Sequence, residues 1–133
     1  MVRALSPENT ADLAAWNAFV QAHPEGRIFH SPEYFQLLES EQSYFPFALA
    51  ACEENGKIQA LIQGAVHRQM GGMLAKVSSR AVIWGGVLVA ENQLSALKPL
   101  LAFYDKEIGG QVIYTEVRNP FETAPIRAEM EKG

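Results

Sequence analysis

Val77-Ser78-Ser79-Arg80-Ala81-Val82-Ile83-Trp84-Gly85-Gly86-Val87-Leu88-Val89 stands just past the middle of this 133-residue chain. Its β-branched and aromatic residues read as a central strand, but two adjacent glycines interrupt it where a strand would not choose them. Lacking a Cβ, Gly85 and Gly86 let the strand bulge or bend, or let another segment or a ligand lie against the backbone. They therefore mark either a structural kink or the wall of a binding site.

Upstream of this stretch, Phe45 to Glu53 and Lys57 to about Arg68 read as two strands joined by the hairpin signal Glu54-Asn55-Gly56. In the second strand Ile58, Ala60, Ile62 and Val66 alternate with Gln59, Gln63 and His67, which predicts one core face and one wet face. Gly64 weakens it locally. Gly71-Gly72 makes a turn and Met73 to Ser79 leads into the central stretch, so the middle of the chain reads as an antiparallel meander. Earlier still, Val2 to Leu5 is a short candidate strand. Asn9 is a good N-cap with Asp12 in the first turn, and Leu13, Trp16, Phe19 and Val20 predict an amphipathic helix from about Thr10 to Ala22, with Trp16 in the core. Ser31 followed by Pro32 and Glu33 starts a second helix that ends by about Ser40, with Tyr34, Phe35, Leu37 and Leu38 on its buried side.

Downstream, Glu91-Asn92 opens a third helix whose Leu94, Leu97, Leu101, Tyr104 and Ile108 keep helical spacing. Pro99 interrupts it, which predicts either a kink or a late start with Pro99 in the first turn. Gln111 to Arg118 is a further strand after a helix, the mark of an α/β crossover. Residues 120–133 form a tail with Pro120, Pro125 and alternating charges and no continuous apolar face.

The totals narrow the function classes. One domain is expected at this length, and 48% hydrophobic with 20% charged residues is ordinary globular composition. No apolar run approaches the ~20 residues that span a bilayer, and the first residues lack a signal-peptide core, so a cytoplasmic protein is expected. A net charge of −4 and eleven scattered Lys and Arg, no two adjacent, argue against a DNA-binding stripe. His23, His30 and His67 lack zinc-site spacing, and no GxxxxGK loop or CxxC pair occurs, so neither a metal nor a nucleotide is expected on this chain alone. The single cysteine, Cys52, reads as a small buried side chain.

The order β-α-α-β-β-β-α-β carries Trp16 in the first helix and Phe29-His30-Ser31-Pro32-Glu33-Tyr34 at the start of the second. Arg80 through Trp84-Gly85-Gly86 occupies the middle, and Glu116-Val117-Arg118-Asn119 the last strand. Together these resemble the N-terminal half of the Fem-type peptidyltransferases and their acetyltransferase-like relatives in the GNAT-like superfamily. The resemblance implies an α/β (α+β) domain over residues 1–119, with a mixed, mostly antiparallel sheet flanked by about three helices. It also implies transfer of an acyl or aminoacyl group to an amine of a cell-wall-type or similar anionic, muropeptide-like substrate. Acyl-CoA or aminoacyl-tRNA would be the donor in a full-length protein. Family members carry two such domains in tandem, so residues 120–133 read as a truncation or a linker to a second GNAT-like domain. The Q/RxxGxG/A phosphate loop of the acyl-CoA superfamily does not occur here.

Amine acylation needs a base for the amine proton and donors for the developing oxyanion. Glu116, on an apolar strand where desolvation would raise its pKa, is the candidate base; the plainer reading pairs it with Arg80 or Arg118. Arg80 and Arg118 suit a phosphate or carboxylate, with Trp84, Gly85 and Gly86 as the wall they face. His30 lies at a helix N-terminus, where anions are favoured, or is simply a surface histidine. Ser78 and Ser79 have no base nearby and are not expected as nucleophiles. A second reading is a non-catalytic module whose exposed strand edges pair with another copy as a homodimer.

Overall fold

The computed structural model describes residues 1–68, 79–112 and 114–118. The elements follow from the local signals. After the short strand β1 (Val2–Ala4), helix α1 (Thr10–Ala22) starts where the Asn9 side chain accepts the Asp12 backbone N–H at 3.1 Å. Helix α2 (Pro32–Glu39) starts where Ser31 Oγ accepts the Tyr34 N–H at 3.2 Å, and a single 3-10 turn (Ile28–His30) leads into it. Strands β2 (Tyr44–Cys52) and β3 (Ile58–Arg68) then form a hairpin, with a register shift between Ala51 and Cys52.

Strand β4 (Ser79–Trp84) runs antiparallel to β3, β5 (Leu88–Val89) follows, and helix α3 (Leu97–Glu107) crosses over to β6 (Tyr114–Arg118). Among the described residues the sheet order is β1-β2-β3-β4-β6, with β5 on β3, and only β4 and β6 are parallel. The expected meander thus holds for β2, β3 and β4; the Gly71-Gly72 turn, the lead from Met73 to Ser78 and the tail lie outside the described residues.

Helices cover both faces. Against α3, the sheet packs Phe47, Leu49, Ile62, Val66 and Ile83 onto Leu97, Leu100 and Tyr104. Against α1 and α2, it packs Ala48, Ala50, Cys52, Leu61 and Leu88 onto Trp16 and Phe35. Fully burying a Leu or Ile side chain is worth about 1.5–3 kcal/mol. Leu61, Ile62, Ile83, Leu88, Leu97 and Leu100 are each at most 1% exposed, so this sandwiching of the sheet is the main source of stability. The expected wet face of β3 is corrected here: Gln63 is fully buried, because α1 and α2 cover the side on which it points.

The central stretch breaks in two. Val82 lies opposite Ala65 and Leu88 opposite Leu61, so six steps along β4–β5 match four along β3, a two-residue bulge. Gly85 and Gly86 supply it, at φ +78° and +74°. Gly64 is the matching device on β3: a Cβ there would sit 2.2 Å from the Val82 carbonyl oxygen. Of the two expectations for Pro99, the late start is observed. A 3-10 turn (Leu94–Ala96) precedes α3, which leaves Pro99 in its first turn.

Candidate functional site

On the face that α1 and α2 cover, the sheet also carries a group of polar and aromatic side chains. Strand pairing puts Tyr44, His67 and Arg80 in one row across β2, β3 and β4, Glu116 beside Val82, and Arg118 beside Trp84. The rings form a chain of contacts. Trp84 meets Tyr34 edge-on at 5.7 Å and Tyr44 at 6.0 Å, Tyr44 lies 4.7 Å from His67, and Phe29 packs on Tyr34 at 5.2 Å. Aromatic pairs at such spacings hold one another in place, so this is a preformed surface with Tyr34, Tyr44, His67 and Trp84 half-buried. Nδ1 of His67 is buried there with no hydrogen-bond partner among the described residues.

The charged members sit at the β6 edge. Arg118 donates from Nε to Glu116 Oε1 at 2.9 Å, and both side chains are well exposed. That hydrogen bond, outweighing a slight desolvation and joined by the positive charges of Arg118 and Arg80, holds the Glu116 carboxyl below its usual value. Glu116 is therefore ionised and weakly basic. This corrects the expectation of a desolvated base with a raised pKa; the ion pair with Arg118 is what the strand's two-residue period produces. Burial pushes the Tyr34 phenol up, with nearby Tyr44 adding to the effect and Arg118 opposing it, so Tyr34 stays protonated and available as a donor.

His30 is neither an anion-binding group nor a surface residue. It is fully buried, Nδ1 accepts the Arg27 backbone N–H at 3.0 Å, and Nε2 faces the carbonyl oxygens of Gly85 and Gly86 at 3.0 and 3.1 Å. The Trp16 indole N–H donates to the His30 carbonyl at 2.7 Å and contacts Gln63 Oε1 at 3.2 Å, while Gln63 Nε2 donates to the Ser31 carbonyl at 2.8 Å. The glycine pair is accordingly a kink filled from within. A Cβ on Gly85 would lie 2.8 Å from His30 Cε1, so the expected ligand wall at Gly85 and Gly86 is corrected to an internal contact. Of the sequence-predicted residues, Arg80, Trp84, Glu116 and Arg118 share one face, and His30, Gly85 and Gly86 lie beneath it.

Tyr34, Tyr44 and His67 belong to this face and were absent from the sequence-based site. Alternation placed His67 away from the core, but only the pairing of Tyr44 with His67 and the contact of Tyr34 with Trp84 gather these rings on one face. A separate open groove of about 1090 Å³ lies between α1 and the segment after β5, lined by Ala11, Ala14, Ala18, Val89 and Leu94 among others. It contains none of the predicted site residues. No cluster of three potential metal ligands occurs among the described residues, and no described helix is long and apolar enough to cross a membrane.

No protein-family model and no curated protein matches the sequence. Solved structures do match in three dimensions. A probable acetyltransferase superposes with a TM-score of 0.66 at 13% identity, over 99% of this chain and 87% of that chain. The ribosomal-protein-alanine N-acetyltransferase of Brucella melitensis biovar Abortus 2308 gives 0.61 at 11% identity, over 99% and 88%. The aminoglycoside 6'-N-acetyltransferase AAC(6')-IG of Acinetobacter haemolyticus gives 0.60 at 11% identity, again over 99% and 88%. The chain has the GNAT acetyltransferase fold. At these identities the likeness is one of architecture, an α/β domain with a mixed sheet between helices. In this chain the link from β5 to α3, residues 90–96, contains no glycine, and Pro99 removes one N–H from the first turn of α3. That helix start therefore offers one backbone N–H fewer to an anion such as the pyrophosphate of an acyl-CoA, and no glycine to let it approach closely.

Proposed function

We propose that this chain is the acceptor-side half of a Fem-like acyl or aminoacyl transferase, acting on an amine of an anionic, cell-wall-type substrate and completed by a second domain that brings the donor. The observation that carries the reading is the face holding Arg80, Glu116 and Arg118 next to the rings of Tyr34, Tyr44 and Trp84. Guanidiniums suit a phosphate or carboxylate, and aromatic rings suit the apolar side of a sugar or peptide. The glycine-free start of α3 supports assigning the donor to another domain. Chemically, the face would hold the acceptor: Arg118 and Arg80 would fix its anionic group, and the protonated Tyr34 would orient a carbonyl or hydroxyl. The Glu116 carboxylate would attract an ammonium group.

The test is an NMR titration of the purified chain with UDP-linked muropeptides, phosphate-free muropeptides and a neutral amino sugar. Anionic muropeptides are expected to shift the Trp84 indole and the amides of β6, with Arg118→Ala weakening the response roughly tenfold or more, as loss of a charged hydrogen bond of ~1.5–3 kcal/mol would. No response to any anionic ligand would overturn the reading.

A second reading, a non-catalytic module that forms a homodimer through a strand edge, is favoured by the low basicity of Glu116. Sedimentation separates the two, since a monomer that persists at high concentration removes the module.

A further inference from the structure

The hydrogen bonds of His30 leave one arrangement of its protons. Nδ1 faces the Arg27 N–H, which can only donate, so Nδ1 must carry a lone pair. Nε2 faces the carbonyl oxygens of Gly85 and Gly86, which can only accept, so Nε2 carries the hydrogen. The ring thus ties the bulge after β4 to the junction between α1 and α2. The bulge is also tied to β6, because the Gly85 N–H donates to the Arg118 carbonyl at 2.8 Å.

We propose that His30 is a positioning latch: while neutral it fixes the Gly85-Gly86 bulge and with it the junction of β4 and β6, and protonation in mild acid releases that junction. A proton added to Nδ1 would point at the Arg27 N–H, turning a hydrogen bond into a repulsion, and would place a charge at a fully buried site. No charged group among the described residues that acts on the ring offsets it, and the glycine carbonyls do so only in part. Trp16 on α1 and Gln63 on β3 are neutral, and the Arg27 guanidinium turns outward to the carbonyls of Pro24 and Gly26. His23, at the end of α1, bears on the ring with the same sign when protonated, and no carboxylate among the described residues acts on it. Desolvation accordingly holds the ring below its usual value, with the backbone contacts only partly opposing it. The functional consequence rests on the transferase reading above, because Trp84 and Arg118 flank the junction; the latch itself does not.

The experiment is hydrogen exchange and NMR on the full chain between pH 7.5 and pH 5, both values chosen to bracket ordinary histidine titration at roughly 6.5. After correction for intrinsic exchange, opening at Gly85 should rise by up to about tenfold per pH unit, as for one linked proton. The central β3 amides of Ala60 and Ile62 should stay protected, and the Trp16 indole resonance should shift with Gly85. His30→Gln, which retains a donor to the glycine carbonyls but cannot titrate, should abolish the pH dependence. Should that variant not fold, ¹⁵N shifts of the His30 ring in the natural chain decide: a hydrogen on Nδ1, or protonation at the ordinary value, overturns the latch, as does pH-independent opening of Gly85. Muropeptide binding at neutral pH is a separate readout, so either idea can fail without the other.

Discussion

Gly85 meets two constraints at once. Its φ of +78° costs a residue with a Cβ about 1–2 kcal/mol, and the His30 ring occupies the space that Cβ would take. Gly85→Ala should therefore lower stability by at least that amount and displace the Trp16 indole resonance, because the indole bonds to the His30 carbonyl. Gly110→Ala is the matched control. Nothing lies within 4 Å of its Cβ and its φ is not positive, so denaturant unfolding should show no loss, or a gain of about 0.4–1 kcal/mol. The same comparison shows what could be read from residues alone. Adjacent glycines after Trp84 mark either a kink or a binding wall, and the residue that decides for the kink, His30, is 55 residues away and carries no local sign of its burial.

Among the elements, α1 is held by more than apolar contact. Trp16 is fully buried, stacks edge-on against Phe35 at 5.5 Å and donates to the His30 carbonyl. Trp16→Phe would keep most of the ring packing and strand two buried acceptors, His30 O and Gln63 Oε1, so a cost of about 1–3 kcal/mol is expected by urea denaturation. On the other face, Leu100→Ala in α3 should cost about 2–5 kcal/mol, since Leu100 is fully buried between α3 and the sheet. A loss below 1 kcal/mol would mean that α3 does not pack as described. The caps of α1 and α2 were legible because Asn9, Ser31 and Pro32 act within one helical turn. The choice between a kink at Pro99 and a late start of α3 was not, because it depends on the burial of Ala96 and Leu97 against the sheet.

For the whole molecule, two buried groups among the described residues tie stability to pH in the same direction. Asp12 is nearly fully buried; burial would raise its carboxyl pKa, but the hydrogen bond from Arg3, the Ser6 backbone N–H and the charge of Arg3 hold it below the usual value. A depressed carboxylate contributes stability that is present above its unfolded value and lost as pH falls through the carboxylate range. His30, depressed by burial, contributes stability that is present above the ordinary histidine value and starts to fall below it. Melting temperature should therefore decline in two stages on acidification. Asp12→Asn should flatten the lower stage and His30→Gln the upper one; a single stage unaffected by either substitution would overturn the assignment. The sequence by itself determined the helix caps, the hairpin and the succession of helices and strands around it, because periodicity, capping and turn chemistry act over a few residues; the GNAT-like fold was implied only by a resemblance in the order of its motifs. Only the tertiary structure decided that Gln63 and His30 are buried, that Glu116 is ion-paired and weakly basic, and that Tyr34, Tyr44 and His67 join Trp84. Those outcomes depend on which segments, distant along the chain, come to cover the same face of the sheet, and desolvation and hydrogen bonding are set by that cover.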